Sequence, residues 1–289
     1  MALPVRLPRS RRRGRSIHRA SAGISQTRLV AALALMVTGG SLYWLTTAEA
    51  FALDPSSIKL DGLRYTDAAV ARAALGLEED ARPNLFRLRT SHLESALLAL
   101  PPVRDARVEV ELPDRLHVSV EERVPILVWA HGGTALLADV EGRLFAPAGA
   151  DVGLPSIYDA RTSTAVPQVG DRLDDLDLQA ARLLGAVRPA DLGSSAASLS
   201  LSIQDDEGWV MEAPTGWRAV FGHYTVSLRP PTSIEMQVAC LRGLLATGEG
   251  AVEQVTLSLS DDRCGTFVPH ATPSPPSSER SGAPPSRRP

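Results

Sequence analysis

An arginine-rich N-terminal segment followed by a long uncharged stretch constrains this chain more than any other feature. The first 28 residues contain eight arginines and neither Asp nor Glu, and no charged residue lies between Leu29 and Ala48. An apolar helix of ~20 residues spans ~30 Å, the thickness of the hydrocarbon core of a bilayer. The sequence therefore predicts a basic cytoplasmic segment over residues 1–28 and a transmembrane helix over residues 29–50.

The arginines also predict the orientation of this helix. Basic residues that flank a span stay on the cytoplasmic side, so we expect the N-terminus inside and the bulk of the chain outside. This describes a single-pass type II protein of the inner (plasma) membrane. Ala48-Glu49-Ala50 resembles a signal-peptidase site, so a cleaved signal is the alternative. We favour a retained anchor, because the apolar stretch is longer than an ordinary signal peptide's and begins late.

The remainder of the chain is acidic and carries few special residues. Without the eight N-terminal arginines it has 22 basic and 33 acidic residues, a net charge of −11. Nucleic acids and anionic lipid surfaces require clusters of Lys and Arg, so this charge argues against both and favours a protein-binding module. Cys240 and Cys264 could form a disulfide or remain two buried thiols. Residues 269–289 consist largely of Pro, Ser and Arg, which predicts a disordered tail.

Residues 51–124 alternate strand and helix patterns and form the first predicted unit. A short strand at Ile58–Leu60 precedes a helix from Thr66, as N-cap, to Leu75. Ser91–Glu94 matches a capping box at the start of a second helix, which Pro101 ends. The residues expected on the inner faces of the two helices are Val70, Ala73, Ala74 and Leu77, and then Leu93, Leu97 and Leu100.

Two strands with two-residue alternation complete this unit. Their inward residues are predicted to be Ala106, Val108, Val110 and Leu112, followed after a turn by Leu116, Val118 and Val120. The order is β-α-α-β-β, and the edges of so small a sheet could accept a partner strand. Glu121, Glu122 and Arg123 are predicted to form solvated ion pairs at the junction with the next unit.

Residues 125–268 are predicted to form a second, strand-rich α+β unit. It opens with a hairpin whose turn is His131-Gly132-Gly133. Two helices are expected, over residues 176–187 and from Thr232 to about Gly248. Further strands are expected over residues 199–203, 209–213 and 217–221, and around Val255, Leu257 and Leu259, which residues 266–268 could extend.

Three segments of the first unit resemble a known family: Asn84–Leu88, Leu100–Val108 and Pro113–Pro125. They are similar to a POTRA domain, and more narrowly to the single membrane-proximal POTRA domain of the FtsQ/DivIB cell-division proteins. Leu136–Phe145 resembles the opening of the β domain in the same family. The resemblance implies an α+β protein with one transmembrane helix, a POTRA domain and a β domain. It also implies a non-enzymatic scaffold of the septal division machinery.

The resemblance further implies a partner-binding site in the late strands. In this family the C-terminal strands of the β domain bind FtsB/FtsL-type proteins by adding a partner segment to an exposed edge. The matching region is 255–268, with the site residues Val255, Thr256, Leu257, Ser258, Leu259 and Ser260. An ordinary core strand explains their alternation equally well. Charged contacts do not carry over, since Gln237 and Thr256-Leu257-Ser258 replace charged family residues.

The sequence shows no pattern of an enzyme or of a metal site. Its six histidines lack the spacing of zinc ligands, and no Gly-x-Ser-x-Gly elbow is present. We therefore predict no catalytic residues, no cofactor, no metal and no small-molecule substrate. Two alternatives remain for the function: a POTRA-containing component of outer-membrane protein assembly or secretion, and a secreted wall-associated enzyme.

Overall fold

The computed structural model describes residues 26–77, 82–149, 153–257 and 264–270. Most of the predicted basic segment and nearly all of the predicted tail lie outside these ranges. The first element is helix α1, Gln26–Thr47, whose 22 residues include no buried side chain. By length and composition it can cross a membrane, and it alone among the described residues meets that criterion. The predicted apolar N-terminal helix is therefore confirmed, although it begins earlier than Leu29.

A small unit of three strands and two helices follows α1. Its sheet has the order β1-β3-β2, with β1 parallel to β3 and β2 antiparallel to β3. The predicted β-α-α-β-β order is confirmed, and the inward residues Leu116, Val118 and Val120 are buried. The elements are β1 (Ile58–Asp61), α2 (Ala68–Ala74), α3 (Thr90–Leu98), β2 (Val103–Glu111) and β3 (Arg115–Glu122).

The inner face of α2 differs from the prediction. Asp67, not Thr66, caps the helix, because its carboxylate accepts a hydrogen bond from the Ala69 N–H at 2.6 Å. The buried residues are Ala71 and Leu75, together with Leu77 beyond the helix, whereas Val70 is 50% exposed. Most residues of this short helix are alanines, so more than one of its faces is apolar. Packing against the sheet selects the face that is buried.

The predicted capping box at the start of α3 is also wrong. Arg89 precedes the helix without a side-chain cap, and Glu94 instead accepts a hydrogen bond from the Val108 N–H of β2 at 3.0 Å. Strand β2 lies at the edge of its sheet, so its outward N–H groups have no partner strand. The Glu94 carboxylate satisfies one of these donors. Leu93 and Leu97 are buried as predicted. Val110 and Leu112 are exposed, because only the first half of β2 is covered.

The large unit is a nine-stranded mixed sheet in the order β12-β11-β10-β9-β8-β7-β4-β5-β6. The pairs β4–β7, β7–β8 and β10–β11 are parallel and the others antiparallel. Its strands are β4 (Leu127–His131), β5 (Thr134–Ala138), β6 (Leu144–Pro147), β7 (Ser156–Asp159), β8 (Ser200–Gln204), β9 (Gly208–Glu212), β10 (Arg218–Gly222), β11 (Val252–Leu257) and β12 (Gly265–Pro269).

Two helices cover one face of this sheet and form its main core. They are α4 (Asp175–Gly185) and α5 (Ile234–Leu245), close to the predicted ranges. Each connects two parallel strands, α4 between β7 and β8 and α5 between β10 and β11, as parallel pairing requires. Leu184 of α4 and Leu241 of α5 are fully buried against the strands. The predicted α+β fold is therefore confirmed.

A buried ion pair joins the two units and Glu122 bonds to backbone amides of the small unit, which corrects the predicted solvated ion pairs for Arg123 and Glu122. Arg123 donates hydrogen bonds to Asp139 and to Glu141, and the Arg123 and Asp139 side chains are only 13% and 5% exposed. The Glu122 carboxylate accepts the backbone N–H groups of Arg64, Tyr65 and Thr66 at 2.7, 2.7 and 2.8 Å. The end of β3 lies beside the loop before α2, so the carboxylate meets amides rather than water.

An exposed ion pair of the small unit and an aromatic pair between the units also lie near the junction. Glu121 forms the predicted exposed ion pair, with Arg104 at 3.7 Å. The Tyr65 ring of the small unit packs edge-on against Phe145 of β6, with ring centroids 5.3 Å apart. The two units thus share both a buried charge pair and an apolar contact.

Replacing Arg123 with Leu should destabilise the protein, because Asp139 would remain buried without a counter-charge. We expect the free energy of unfolding to fall by about 3 kcal/mol. Arg104→Leu is the matched control, since its ion pair with Glu121 is exposed and should contribute at most ~1 kcal/mol. Urea denaturation of the full chain in detergent measures both values. Equal losses in the two variants would contradict the assignment.

Candidate partner-binding edge

Strand β12 forms one edge of the nine-stranded sheet. It pairs antiparallel with β11, and no other described strand lies on its outer side. Phe267 and Val268 are 54% and 53% exposed. An edge strand leaves a row of N–H and C=O groups that an extended segment can pair with. Within the described residues, β12 therefore offers the edge that the late strand was expected to provide.

The predicted site residues in β11 lie one strand further inside the sheet. Val255 and Leu257 are fully buried, and Thr256 is exposed on the opposite face. The backbone of β11 pairs with β10 on one side and with β12 on the other. The described part of the predicted site therefore supports the edge strand and has no free backbone of its own. Ser258, Leu259 and Ser260 lie outside the described residues.

Residues 266–268 do not extend β11, because the chain reverses between the two strands. They form β12, which returns antiparallel so that Val255 lies opposite Phe267 and Leu257 opposite Gly265. Residues that lie opposite each other point to the same face of the sheet. Phe267 is thus on the face that α5 covers, but at its margin, where half of the ring remains exposed.

Two features hold the beginning of β12 against the sheet. Cys264 forms a disulfide with Cys240 of α5, with the Cα atoms 5.3 Å apart, which decides the alternative that the sequence left open. Gly265 has φ +142°, and a Cβ atom there would lie 2.1 Å from the Thr256 carbonyl oxygen. Only glycine permits so close an approach. The sequence signal for this arrangement was the adjacent pair Cys264-Gly265.

Glu249 fixes the beginning of β11 through a group of hydrogen bonds that the sequence did not reveal. Its carboxylate accepts from Ser195 N–H and Oγ at 2.9 and 2.8 Å, from Thr215 at 2.9 Å and from the Trp217 indole at 2.8 Å. The Ser194 hydroxyl donates to it as well. Desolvation opposes ionisation, but the hydrogen bonds outweigh it and lower the pKa of Glu249 to about 2.

Gln237 serves the core of the large unit rather than its surface. It is 2% exposed, donates to the Phe221 carbonyl at 2.9 Å and accepts from the Tyr224 hydroxyl at 2.8 Å. Both polar ends of the amide are therefore satisfied inside the protein.

The large unit contains a cleft lined by several acidic side chains. It has a volume of about 380 Å³, and Asp159, Arg161 and Asp177 lie along it. Arg161 donates to both carboxylates at 2.8 Å, so the two acids are joined by an internal cation. Desolvation raises the pKa of Asp177, and Arg161 opposes this rise. The described residues contain no group of His, Cys, Asp and Glu that could hold a metal ion.

Fold and site together define a class of protein: an apolar N-terminal helix, a small β-α-α-β-β unit, and a larger sheet with an exposed edge. Residues 53–123 match a family model described as "POTRA domain, FtsQ-type". This match and the relatives described below support the resemblance to the FtsQ/DivIB cell-division proteins that the sequence motifs predicted.

Relatives named "Cell division protein FtsQ" come from several bacteria. The chain is 24% identical over 177 residues to that of Chloroflexus aurantiacus, covering 61% of this chain and 63% of the relative. It is 32% identical over 123 residues to that of Burkholderia pseudomallei, covering 42% and 46%. It is 26% identical over 191 residues to that of Mycobacteroides abscessus, covering 63% and 57%. The chain thus matches less than two thirds of each relative's length.

Gly265→Val should detach β12 from β11, because the new side chain cannot occupy the space beside the Thr256 carbonyl. Strain of this kind costs about 1–3 kcal/mol. We expect faster hydrogen–deuterium exchange of the β11 and β12 amides than in the wild type. Thr266→Val, an exposed substitution in the same strand, should leave exchange unchanged. Unaltered protection in the Gly265 variant would show that the strand does not need this glycine.

Glu249 should make the stability of the large unit depend on acid pH. Its pKa is lower in the folded protein than the ordinary value of 4.5, so its contribution is complete above pH 4.5 and declines toward pH 2. Glu249→Gln should therefore lower the unfolding midpoint at neutral pH, and its difference from the wild type should shrink as the pH falls through that range. Glu253→Gln, an exposed change in β11, is the control. A pH-independent difference would contradict this role.

Proposed function

We propose that this protein is a bitopic cell-division protein that scaffolds the septal machinery through protein–protein contacts outside the cytoplasm. Helix α1 is the membrane anchor, with the basic N-terminus in the cytoplasm. The two units then extend from the outer face of the inner membrane at the division septum. The protein has no catalytic role of its own. Its partners are FtsB/FtsL-type proteins, as the family resemblance implies.

The exposed edge of β12 is the observation that carries this proposal. A partner segment that pairs with β12 gains main-chain hydrogen bonds, which supply affinity without requiring a particular sequence. Specificity then comes from side chains on the two faces, which alternate along the strand. Phe267 and Val268, about half exposed, offer one apolar contact on each face. A suitable partner segment is therefore extended and carries apolar residues on both of its faces.

The structure around β12 suits a docking strand that must remain in place without its partner. Buried Val255 and Leu257 anchor β11, and the disulfide to α5 holds the chain at the start of β12. The partner consequently meets an edge that is already ordered, so association costs less conformational entropy. Val255 to Leu257 contribute indirectly, as the support of the edge. Ser258, Leu259 and Ser260, which lie outside the described residues, are retained as proposed partner-binding residues.

A family relationship to cell-division proteins favours this role over outer-membrane assembly or a wall-degrading activity. The matched relatives carry a division name, and the small unit matches the FtsQ type of POTRA domain specifically. In the acidic cleft, Arg161 bonds both carboxylates, which leaves neither as a free acid or base. No specific observation favours a second function.

A fluorescent fusion of the full chain in the source bacterium tests both levels of the proposal. We expect enrichment at midcell in dividing cells and co-isolation of FtsB/FtsL-type proteins with the fusion. Phe267→Lys should reduce that co-isolation at least about tenfold, because a lysine on an edge strand opposes pairing. Val226→Lys is the matched control, since Val226 is 78% exposed and lies in the segment between β10 and α5, not in β12.

The outcomes separate the function from the docking site. A uniform distribution around the envelope, with no enrichment at midcell, would overturn the division role. Midcell enrichment with equal recovery of partners in both lysine variants would leave that role intact and reject the β12 edge. Circular dichroism of the purified variants establishes that each is folded.

A further inference from the structure

The loop over residues 83–87 of the small unit is attached directly to the end of the membrane anchor. The Asn84 side-chain amide donates hydrogen bonds to the Leu45 and Ala48 carbonyls at 3.1 and 3.3 Å. Carbonyls at a helix C-terminus lack partners within the helix, so this amide supplies a donor to the end of α1. The Ala48 carbonyl also accepts the Phe51 N–H at 3.2 Å. The Asn84 Oδ1 atom accepts from the Phe86 N–H at 3.0 Å and fixes the turn that presents Phe86.

Three aromatic rings continue this attachment from the helix to the loop. Trp44, in the last turn of α1, packs edge-on against Phe51 with ring centroids 6.1 Å apart. Phe51 in turn packs against Phe86 at 5.1 Å. Phe86 nevertheless remains 46% exposed, although it belongs to the folded small unit. The Phe86 ring is thus held by the Phe51 ring on one side and is open to an occupant on the other.

The length of α1 determines what that occupant can be. At ~1.5 Å per residue the helix is ~33 Å long, just enough to cross a hydrocarbon core of ~30 Å. Its end at Thr47 must then lie at the outer boundary of that core. Trp44 lies at the level where aromatic residues collect in membrane proteins. Phe51 and Phe86, joined to Trp44 by ring contacts, therefore fall within the headgroup layer.

We infer that Phe86 is a second membrane contact, a ring of the small unit that inserts into the interfacial layer of the outer leaflet. Together with α1 it gives the small unit two points of attachment, so that the unit cannot rotate freely about the end of the helix. Asn84 is the positioning residue, since it bonds both the helix end and the Phe86 backbone. This inference rests on the proposed role of α1 as a retained anchor.

The aromatic ring, not charge, is the basis of the proposed membrane contact. Exposed Arg82, Arg87 and Arg89 flank Phe86 in sequence, and Glu49, two residues before Phe51, is exposed as well. These arginines would favour anionic lipid, whereas the acidic composition of the exported part opposes binding through charge. The contact should therefore form on a neutral bilayer, where only burial of the ring stabilises it.

Spin labels on the full chain in phosphatidylcholine nanodiscs test the inference. Single cysteines at Leu35, Phe86 and Val226 are labelled while the native disulfide stays oxidised. Leu35 is 74% exposed in the middle of α1, and Val226 is 78% exposed in the large unit. The measured quantity is the ratio of collision with oxygen to collision with a water-soluble nickel chelate. We expect the highest ratio at position 35, an intermediate one at 86 and the lowest at 226.

Each outcome bears on a different assignment. A ratio at position 86 equal to that at 226, with a high ratio at 35, overturns the membrane contact but leaves the anchor. Low ratios at all three positions overturn the anchor and the contact together. Adding Asn84→Asp to the Phe86 label retains the acceptor for the Phe86 N–H but removes both donors to α1, so the ratio should fall. An unchanged ratio rejects Asn84 as the positioning residue.

Discussion

The parallel pairing of β10 with β11 is the constraint on which the rest of the large unit depends. Parallel neighbours cannot be joined by a tight turn, so the chain must cross over, and α5 is that crossover. The crossover places β11 inside the sheet and brings Cys240 of α5 beside Cys264. After β11 the chain returns antiparallel as β12, which forms the edge of the sheet. The exposed edge strand thus follows from the crossover by α5 and from the antiparallel return after β11.

At three places a single polar side chain bonds groups of a neighbouring segment and so joins consecutive elements of the protein. Asn84 bonds the carbonyls at the end of α1, Glu122 bonds three amides before α2, and Glu249 gathers donors from two loops at the start of β11. In each case a single side chain satisfies backbone or hydroxyl groups that no strand or helix reaches. Arg123 adds a buried ion pair between the two units. These contacts connect the anchor to the small unit and the small unit to the large one.

Sequence periodicity predicted the helices and strands better than it predicted which residues contact each other. The alternation of Leu116, Val118 and Val120 identified both β3 and its inner face, because burial on one side imposes a two-residue period. In α2 the same reasoning failed, since alanines allow several apolar faces. Glu94 illustrates the other limit: its spacing from Ser91 fits a capping box, yet in the fold it bonds β2. A capping-box pattern covers four consecutive residues, so it cannot show that the N–H of a residue distant in sequence will reach the Glu94 carboxylate instead.

By itself the sequence determined the apolar helix, the β-α-α-β-β order of the small unit and the resemblance to a family, since these depend on local composition and on motifs contiguous in the chain. Only the tertiary structure decided which late strand is the edge, that Cys240 and Cys264 pair, and that Arg123 is buried at a junction. Each of these depends on segments that are distant in sequence and adjacent in space. The physical reason is that pairing and burial are properties of both partners, whereas a sequence pattern describes only one of them.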